Sequence, residues 1–391
     1  MMPVATLSRA WIATLLLVTP ALGVAQGRLT RPVIDKLPGG ATRVMNAGPT
    51  RWVDTNGWKL VYERTVQPPE GAPGVLENPW GAVLASDGRL VTLDIQTPAI
   101  RLYDPNGRFL RSMGRAGEGP GEYKVAFIAL YHDSLFIYDP QLRRATVMTL
   151  DGKVVRTVIT TANDYFPIYF DARGLMALRV STRTPEGRKG YWVYHTRTGQ
   201  RVDSVTALGY LDTKGWKYLT REGMSEWEVP FPPANVMELL PSGGAVYGRT
   251  DNYSLVVTHT GDDTLRIFGR LNPPQVRIPE TVRDSALQAE IRKQPKLQTV
   301  AKKSDLPATY PLWRNLQMDG AGNIWVGARS DRPQQSRFDV FSPDGAFLGT
   351  VAAPCNASAK IDFHGDRVTI IDTDADELPR IRIFRIDRRG K

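Results

Sequence analysis

The sequence predicts an all-β protein: a six-bladed β-propeller of four-stranded antiparallel blades, closed by an N-terminal strand that completes the C-terminal blade. Three observations predict it. A grammar of strand, tight turn, strand, loop, strand, tight turn, strand recurs along the chain; the last repeat is one strand short; and one suitable strand stands unassigned ahead of the first repeat.

The repeat is clearest at its start. Asn78-Pro79-Trp80-Gly81 leads into Ala82 to Ala85, then come Asp87-Gly88, Leu90 to Asp94, Ile100 to Tyr103, Asn106-Gly107 and Phe109 to Met113. The Asp-Gly and Asn-Gly pairs supply the positive φ that tight hairpins demand. Blade two follows with Phe127 to Leu130, Leu135 to Asp139, Ala145 to Leu150 and Val154 to Ile159. Blade three takes Ile168 through Leu175 to Val180, Tyr191 to His195 and Arg201 to Thr206. Blade four takes Val236 to Leu240, Ala245 to Arg249, Ser254 to Thr258 and Thr264 to Phe268. Blade five repeats the first closely, with Leu316 to Asp319, Gly322 to Val326, Phe338 to Phe341, Asp344-Gly345 and Phe347 to Gly349. The sixth unit has only Ile361 to Phe363, Val368 to Asp372 and Ile381 to Ile386, so it needs a fourth strand. Trp58 to Val66 alternates as an outer strand does and supplies it.

The first unit resembles the NHL repeat in its order Asn-Pro-Trp-Gly, Asp-Gly-x-Leu-Val, Asp94, Ile100-Arg101-Leu102-Tyr103 and Gly107. The segment Gly114 to Tyr123 resembles the glycine-rich link between blades of bacterial secreted six-bladed propellers of the NHL/TolB-like kind. The resemblance is strong over residues 75–160 and 311–352. It implies a fold and leaves the activity open, because this architecture hosts many functions.

Composition agrees: 42% hydrophobic and 23% charged residues with Gly 35 and Pro 29 suit many short strands between turns. Arg9, the apolar stretch Trp11 to Val18 and the small residues Gly23-Val24-Ala25 form a signal peptide over residues 1–25. The apolar run is shorter than the ~20 residues of a membrane span. The predicted product is periplasmic or extracellular, monomeric, with an N-terminal extension over 26–55 and the propeller over 56–391. Cys355 is the only cysteine, so no intrachain disulfide forms. The formal charge of +10 brings no nucleic-acid motif with it, which points to an acidic glycan or protein partner before DNA or RNA.

Two insertions interrupt the period, residues 207–230 with Trp216, Tyr218 and Trp227, and residues 273–311 with a helical pattern from Glu280 to Lys293 ending at Pro295. In a propeller, first-strand starts and second-strand ends share one face. That face also receives both insertions and the longer connections, Ser181 to Gly190, Ser330 to Arg337 and Thr373 to Arg380, so the site is expected there. Its candidate ligand-binding residues are Trp80, Arg179, Arg249, Trp313 and Arg329, aromatic platforms with guanidinium groups suited to acidic ligands. Asp94 and Asp139 read as turn-formers. The leading expectation is a non-catalytic binding or interaction propeller with no cofactor. One alternative is a calcium-dependent hydrolase or lactonase holding the metal on Asn78, Asn235 and Asn315; another is a structural component of an envelope assembly. Asp372 to Glu377 alternates oxygen ligands but places Glu377 where a calcium loop needs glycine.

Overall fold

The computed structural model describes residues 32–48, 52, 57–94, 99–162, 164–184, 187–208, 215–329, 335–356 and 358–388. Within them six antiparallel sheets form a six-bladed propeller. Blade one is Pro79–Leu84, Leu90–Asp94, Ala99–Tyr103 and Phe109–Met113; blade two is Phe127–Tyr131, Ser134–Asp139, Arg144–Thr149 and Val154–Ile159. Blade three is Tyr169–Phe170, Met176–Thr184, Gly187–His195 and Arg201–Ala207. Blade four holds Asn235–Leu239, Ala245–Arg249, Ser254–Thr258 and Arg266–Arg270; blade five holds Trp313–Met318, Ile324–Ala328, Ser336–Phe341 and Phe347–Ala353. The signal segment lies outside the described residues, and no described helix is long and apolar enough to cross a membrane.

Blade six consists of Lys360–His364, Arg367–Thr373, Pro379–Asp387 and, as its outer strand, Lys59–Val66. Lys59 pairs with Asp387 and Val66 with Ile381, antiparallel, with one bulge between Tyr62 and Arg64. The ring is therefore closed by main-chain hydrogen bonds between strands about three hundred residues apart in sequence. Trp58, just ahead of this strand, lies 5.3 Å from Trp52 and 6.1 Å from Trp325 of blade five.

Each blade is buried on both faces, and this explains the strand sequences. In blade two Leu135 and Ile137 point into the seam with blade one, while Phe136 and Tyr138 point into the seam with blade three. Alternation along a strand thus serves two apolar seams, so the strands read as continuous apolar runs. Six clusters fill six seams, and the seam between blades six and one packs Val66, Ile381 and Ile383 against Leu84, Leu90 and Tyr103. Each such fully buried large side chain contributes about 1.5–3 kcal/mol. The predicted hairpins form with Gly88, Gly107, Gly152 and Gly345 at φ 88°, 83°, 84° and 85°, where a Cβ would be strained.

Two arrangements differ from a regular ring. Residues Val33–Lys36 and Thr42–Asn46 extend blade four outward to six strands, Thr42–Asn46 running parallel to Arg266–Arg270. Asn46 locks this addition to blade five: its Nδ2 donates to Gly269 O (2.8 Å) and Gly345 O (3.0 Å), and its Oδ1 accepts from Phe347 N (2.9 Å). The connection expected as a loop from Ser181 to Gly190 instead continues strands two and three of blade three as a ribbon, with Ser181 paired to Gly190 and Thr184 to Gly187.

The two insertions, which flank blade four, pack into one cap. The first forms the hairpin Gly215–Thr220 and Gly223–Glu228, and the second carries the helix Glu280–Lys293. Trp216 and Tyr218 bury one hairpin face with Leu297 and Leu306, against Leu287 and Ile291 of the helix. Polar anchors fix the contact: Trp216 Nε1 donates to Asp305 (3.0 Å) and Trp227 Nε1 to Glu290 (2.9 Å).

Removing residues 57–66 is expected to destabilise the whole protein by more than the roughly 2–5 kcal/mol of one large buried side chain, because it opens the ring and uncovers the seam at Val66. Urea unfolding of the truncated protein measures it; a midpoint equal to that of the full chain contradicts the closure.

Candidate functional site

The chain direction places first-strand starts and second-strand ends on one face, and the aspartates at those ends are structural. Asp94 accepts from the backbone N–H groups of Glu77 (3.0 Å) and Asn78 (2.9 Å) and from Arg101 (3.2 Å). Asp139 accepts from Lys124 N, Val125 N, Gln141 N and Leu142 N. Each carboxylate thereby ties the incoming inner strand to its own blade. The Asp374 carboxylate likewise closes its own turn, taking N–H groups from Asp376 and Leu378.

The five ligand-binding candidates are distributed around the rim on four blades. Trp80 is 47% exposed, and Lys360 Nζ lies 5.2 Å from its ring centroid while donating to its carbonyl oxygen at 2.5 Å. Arg179 stacks on Phe166 (4.2 Å) with Asp164 at 3.7 Å. Arg249 is exposed and forks onto Asp251 at 3.1 and 2.6 Å, which raises its pKa. Arg329 lies over Tyr310 at 4.6 Å with its pKa lowered by burial, and among the described residues it has no carboxylate partner. Trp313 departs from expectation. It is fully buried and donates Nε1 to Asn252 O (2.7 Å), because a register shift between Trp313 and Leu316 turns the ring into the core. It therefore offers no surface to a ligand. Residues 330–334 of the connection Ser330 to Arg337 lie outside the described residues.

Of the three asparagines, Asn78 is exposed beside the Asp94 clamp, Asn235 opens the inner strand of blade four, and Asn315 has a buried Oδ1 without a hydrogen bond among the described residues. None of the three lines the channel. The described residues hold no group of three or more His, Cys, Asp or Glu side chains placed to bind a metal ion.

The concentrated chemistry is deeper, in the central channel, a cavity of about 520 Å³. One level of its wall is formed by Val83, Ala129, Tyr169, Glu238, Gln317 and Asp362, one residue from each inner strand. Strand pairing shows their equivalence: they face Val91, Phe136, Ala177, Val246, Trp325 and Thr369, each following a buried apolar residue of the second strand. Blades one and two thus give an apolar arc, and blades three to six a polar one.

The electrostatics of that arc are unusual. Burial inside the ring raises the Glu238 carboxyl from its ordinary 4.5 to about 8, and the neighbouring Asp362 charge pushes in the same direction. Burial, with both carboxyls adding, holds the Tyr169 phenol well above its ordinary 10.0. Lys360 Nζ stands 3.8 Å from Asp362 and offsets its charge. His364 is lowered chiefly by burial, and its Nε2 lies 3.0 Å from Thr369 Oγ1. Among the described residues the phenol of Tyr194, 1% exposed and also lining the cavity, has no hydrogen bond. A carboxyl with a strongly shifted pKa in a cavity marks a candidate site.

Glu238, Gln317, Asp362 and Tyr169 were not among the sequence candidates. Their signal was a polar residue at one position of four successive inner strands, as in Val236-Met237-Glu238-Leu239-Leu240 and Ile361-Asp362-Phe363.

The fold and channel define a six-bladed β-propeller with a polar central cavity. No family model matches the chain, and no curated protein sequence matches it. Among solved structures it is similar to an exported protein from Bacteroides fragilis NCTC 9343, at 10% identity and a TM-score of 0.47, covering 86% of this chain and 97% of that one. It is also similar to virginiamycin B lyase from Staphylococcus aureus, at 10% identity and a TM-score of 0.42 over 84% and 99% of the two chains. A third is the PQQ-bound aldose sugar dehydrogenase from Streptomyces coelicolor, at 12% identity and a TM-score of 0.41 over 84% and 98%. These likenesses concern the chain path and not what is bound.

Glu238 keeps its proton in the folded protein up to about pH 8 and loses it in the unfolded chain near 4.5. Its contribution to stability is thus fully present below the unfolded value and is lost as pH rises through about 8. Glu238→Gln is expected to unfold at the same urea concentration as the parent at pH 5 and at a higher one at pH 9. Equal midpoints at both pH values would show that the carboxyl is not buried as described.

Proposed function

We propose that this chain is an exported, non-catalytic binding propeller that takes a glycan at the mouth of its central channel, on the loop-rich face. The observation that carries this reading is Trp80, a large exposed indole at the rim of the polar cavity, with Lys360 held against it. A flat aromatic face packs against the C–H face of a sugar ring, while polar groups below it pair with hydroxyls. Arg329, with no carboxylate partner among the described residues, supplies a cationic group for an acidic sugar along the rim. Arg179 and Arg249 are engaged by acids of their own blades, so they contribute to the rim's charge balance before they contribute to a ligand. The signal peptide expected over residues 1–25 supports a place for this activity in the periplasm or outside the cell.

A second reading, docking of a protein partner, is favoured by the cap. Leu219 and Met224, paired across the hairpin near its tip, are 70% and 67% exposed. Apolar side chains so presented on a rigid ribbon are suited to a protein surface.

Affinity electrophoresis through gels containing neutral and acidic polysaccharides tests the first reading. The parent protein is expected to be retarded by at least one of them, and Trp80→Ala to lose about tenfold or more in affinity, the scale of about 1.4 kcal/mol. Absence of retardation by every polysaccharide overturns it. For the second reading, Leu219→Ser with Met224→Ser is expected to abolish co-purification of a stoichiometric partner from the envelope fraction; an unchanged partner yield rules the hairpin out.

A further inference from the structure

We propose that the polar arc Tyr169, Glu238, Gln317 and Asp362 is a binding site for the hydroxyl groups of one neutral sugar ring seated inside the channel. This rests on the glycan reading and deepens it, by separating an inner subsite from the mouth at Trp80.

The geometry carries the argument. Four consecutive blades place a hydrogen-bonding side chain at the same level of the wall, and the two remaining blades place Val83 and Ala129 there. The site is therefore two-sided, with polar groups on one arc and aliphatic groups on the other. A pyranose has the matching character, hydroxyls at its edge and C–H groups on its faces. The cavity, about 520 Å³, falls within the ~300–1,000 Å³ of small-molecule sites and is far larger than the ~30 Å³ of one water.

The donor and acceptor inventory narrows the ligand. Asp362 only accepts, a protonated Glu238 both donates and accepts, and the Gln317 amide and Tyr169 phenol do both. Vicinal hydroxyls, each a donor and an acceptor, satisfy such a mixture. With Glu238 protonated the charged groups at this level are Asp362 and the Lys360 beside it, which cancel. An anion would meet Asp362. The phenol of Tyr194, buried and without a hydrogen bond among the described residues, belongs to a residue of the same cavity wall.

The titratable groups that line the cavity with Glu238 are Tyr169, Asp171, Tyr194, Lys360, Asp362 and His364, of which Asp171 is paired with Arg173 at 2.7 Å. Near neutral pH the His364 imidazole is uncharged and both phenols keep their protons. Above about pH 8 Glu238 becomes a second carboxylate at the level of Asp362 and loses its donor proton. Sugar affinity therefore falls as pH rises through that value.

Isothermal titration of the full chain with glucose, galactose, mannose and N-acetylglucosamine at pH 6.5 and pH 9 tests the proposal, with Glu238→Gln beside the parent. At least one sugar is expected to bind the parent at pH 6.5 and to lose about tenfold or more at pH 9, the size of a lost hydrogen bond. Glu238→Gln keeps a donor at every pH and cannot ionise, so whatever its affinity at pH 6.5, that affinity is expected to be the same at pH 9. The proposal is overturned if no sugar binds, if the parent's affinity is the same at both pH values, or if calcium alone binds in a manner that Glu238→Gln abolishes. Polysaccharide retardation that depends on Trp80, with no monosaccharide binding, would leave the mouth reading standing and remove the inner subsite. Monosaccharide binding with the expected pH response, untouched by Trp80→Ala, would do the reverse.

Discussion

Everything in this protein depends on the pairing of Lys59–Val66 with Pro379–Asp387. A blade buries both of its faces, so a ring of blades has no natural end: an unclosed seam would expose two apolar surfaces at once. The N-terminal strand makes the last blade with the first part of the chain and seals the seam at Val66, Ile381 and Ile383. Because each blade packs against two neighbours, this one ladder completes the sixth seam and with it the ring. The channel exists only because the inner strands are forced to a common axis, and the shifted carboxyl of Glu238 exists only because that axis is buried.

Much of the architecture was legible because its signals are local. Hairpins at Asp87-Gly88, Asn106-Gly107, Asp151-Gly152 and Asp344-Gly345 rest on dipeptides whose backbone preferences are strong, and the missing strand of the sixth blade follows from counting. The helix from Glu280 to Lys293 is bounded by prolines at 279 and 295 and forms as its pattern predicts. The outer addition to blade four was not legible. Its parallel contact joins Thr42 to Arg266, and a strand that pairs with a partner so distant carries no nearby turn or repeat to announce it.

The site was harder to read, for a physical reason. Loops on one face of a rigid ring invite attention to strand ends, which led to Arg179, Arg249 and Trp313. Local charges neutralise both arginines, and a bulge rotates Trp313 inward. Trp80 stays exposed because it opens the inner strand of blade one, ahead of the seams. The chemistry in the middle of inner strands is visible only after the six strands are aligned by their hairpins. A single Glu in Val236 to Leu240 looks like an interruption of an apolar strand; beside Tyr169, Gln317 and Asp362 it becomes part of a wall. A carboxyl that stays protonated near neutral pH turns that wall from a charged barrier into a hydrogen-bonding surface.

The central claim is that the closed ring makes its channel a ligand site of mixed polarity. A crystal structure of the protein grown with a saturating monosaccharide near pH 6.5 tests it most directly. The account expects density for one sugar ring inside the channel, with hydroxyls within hydrogen-bond distance of Glu238, Gln317 and Asp362 and carbon atoms toward Val83 and Ala129. A channel holding only water, with sugar bound elsewhere on the surface, would contradict it.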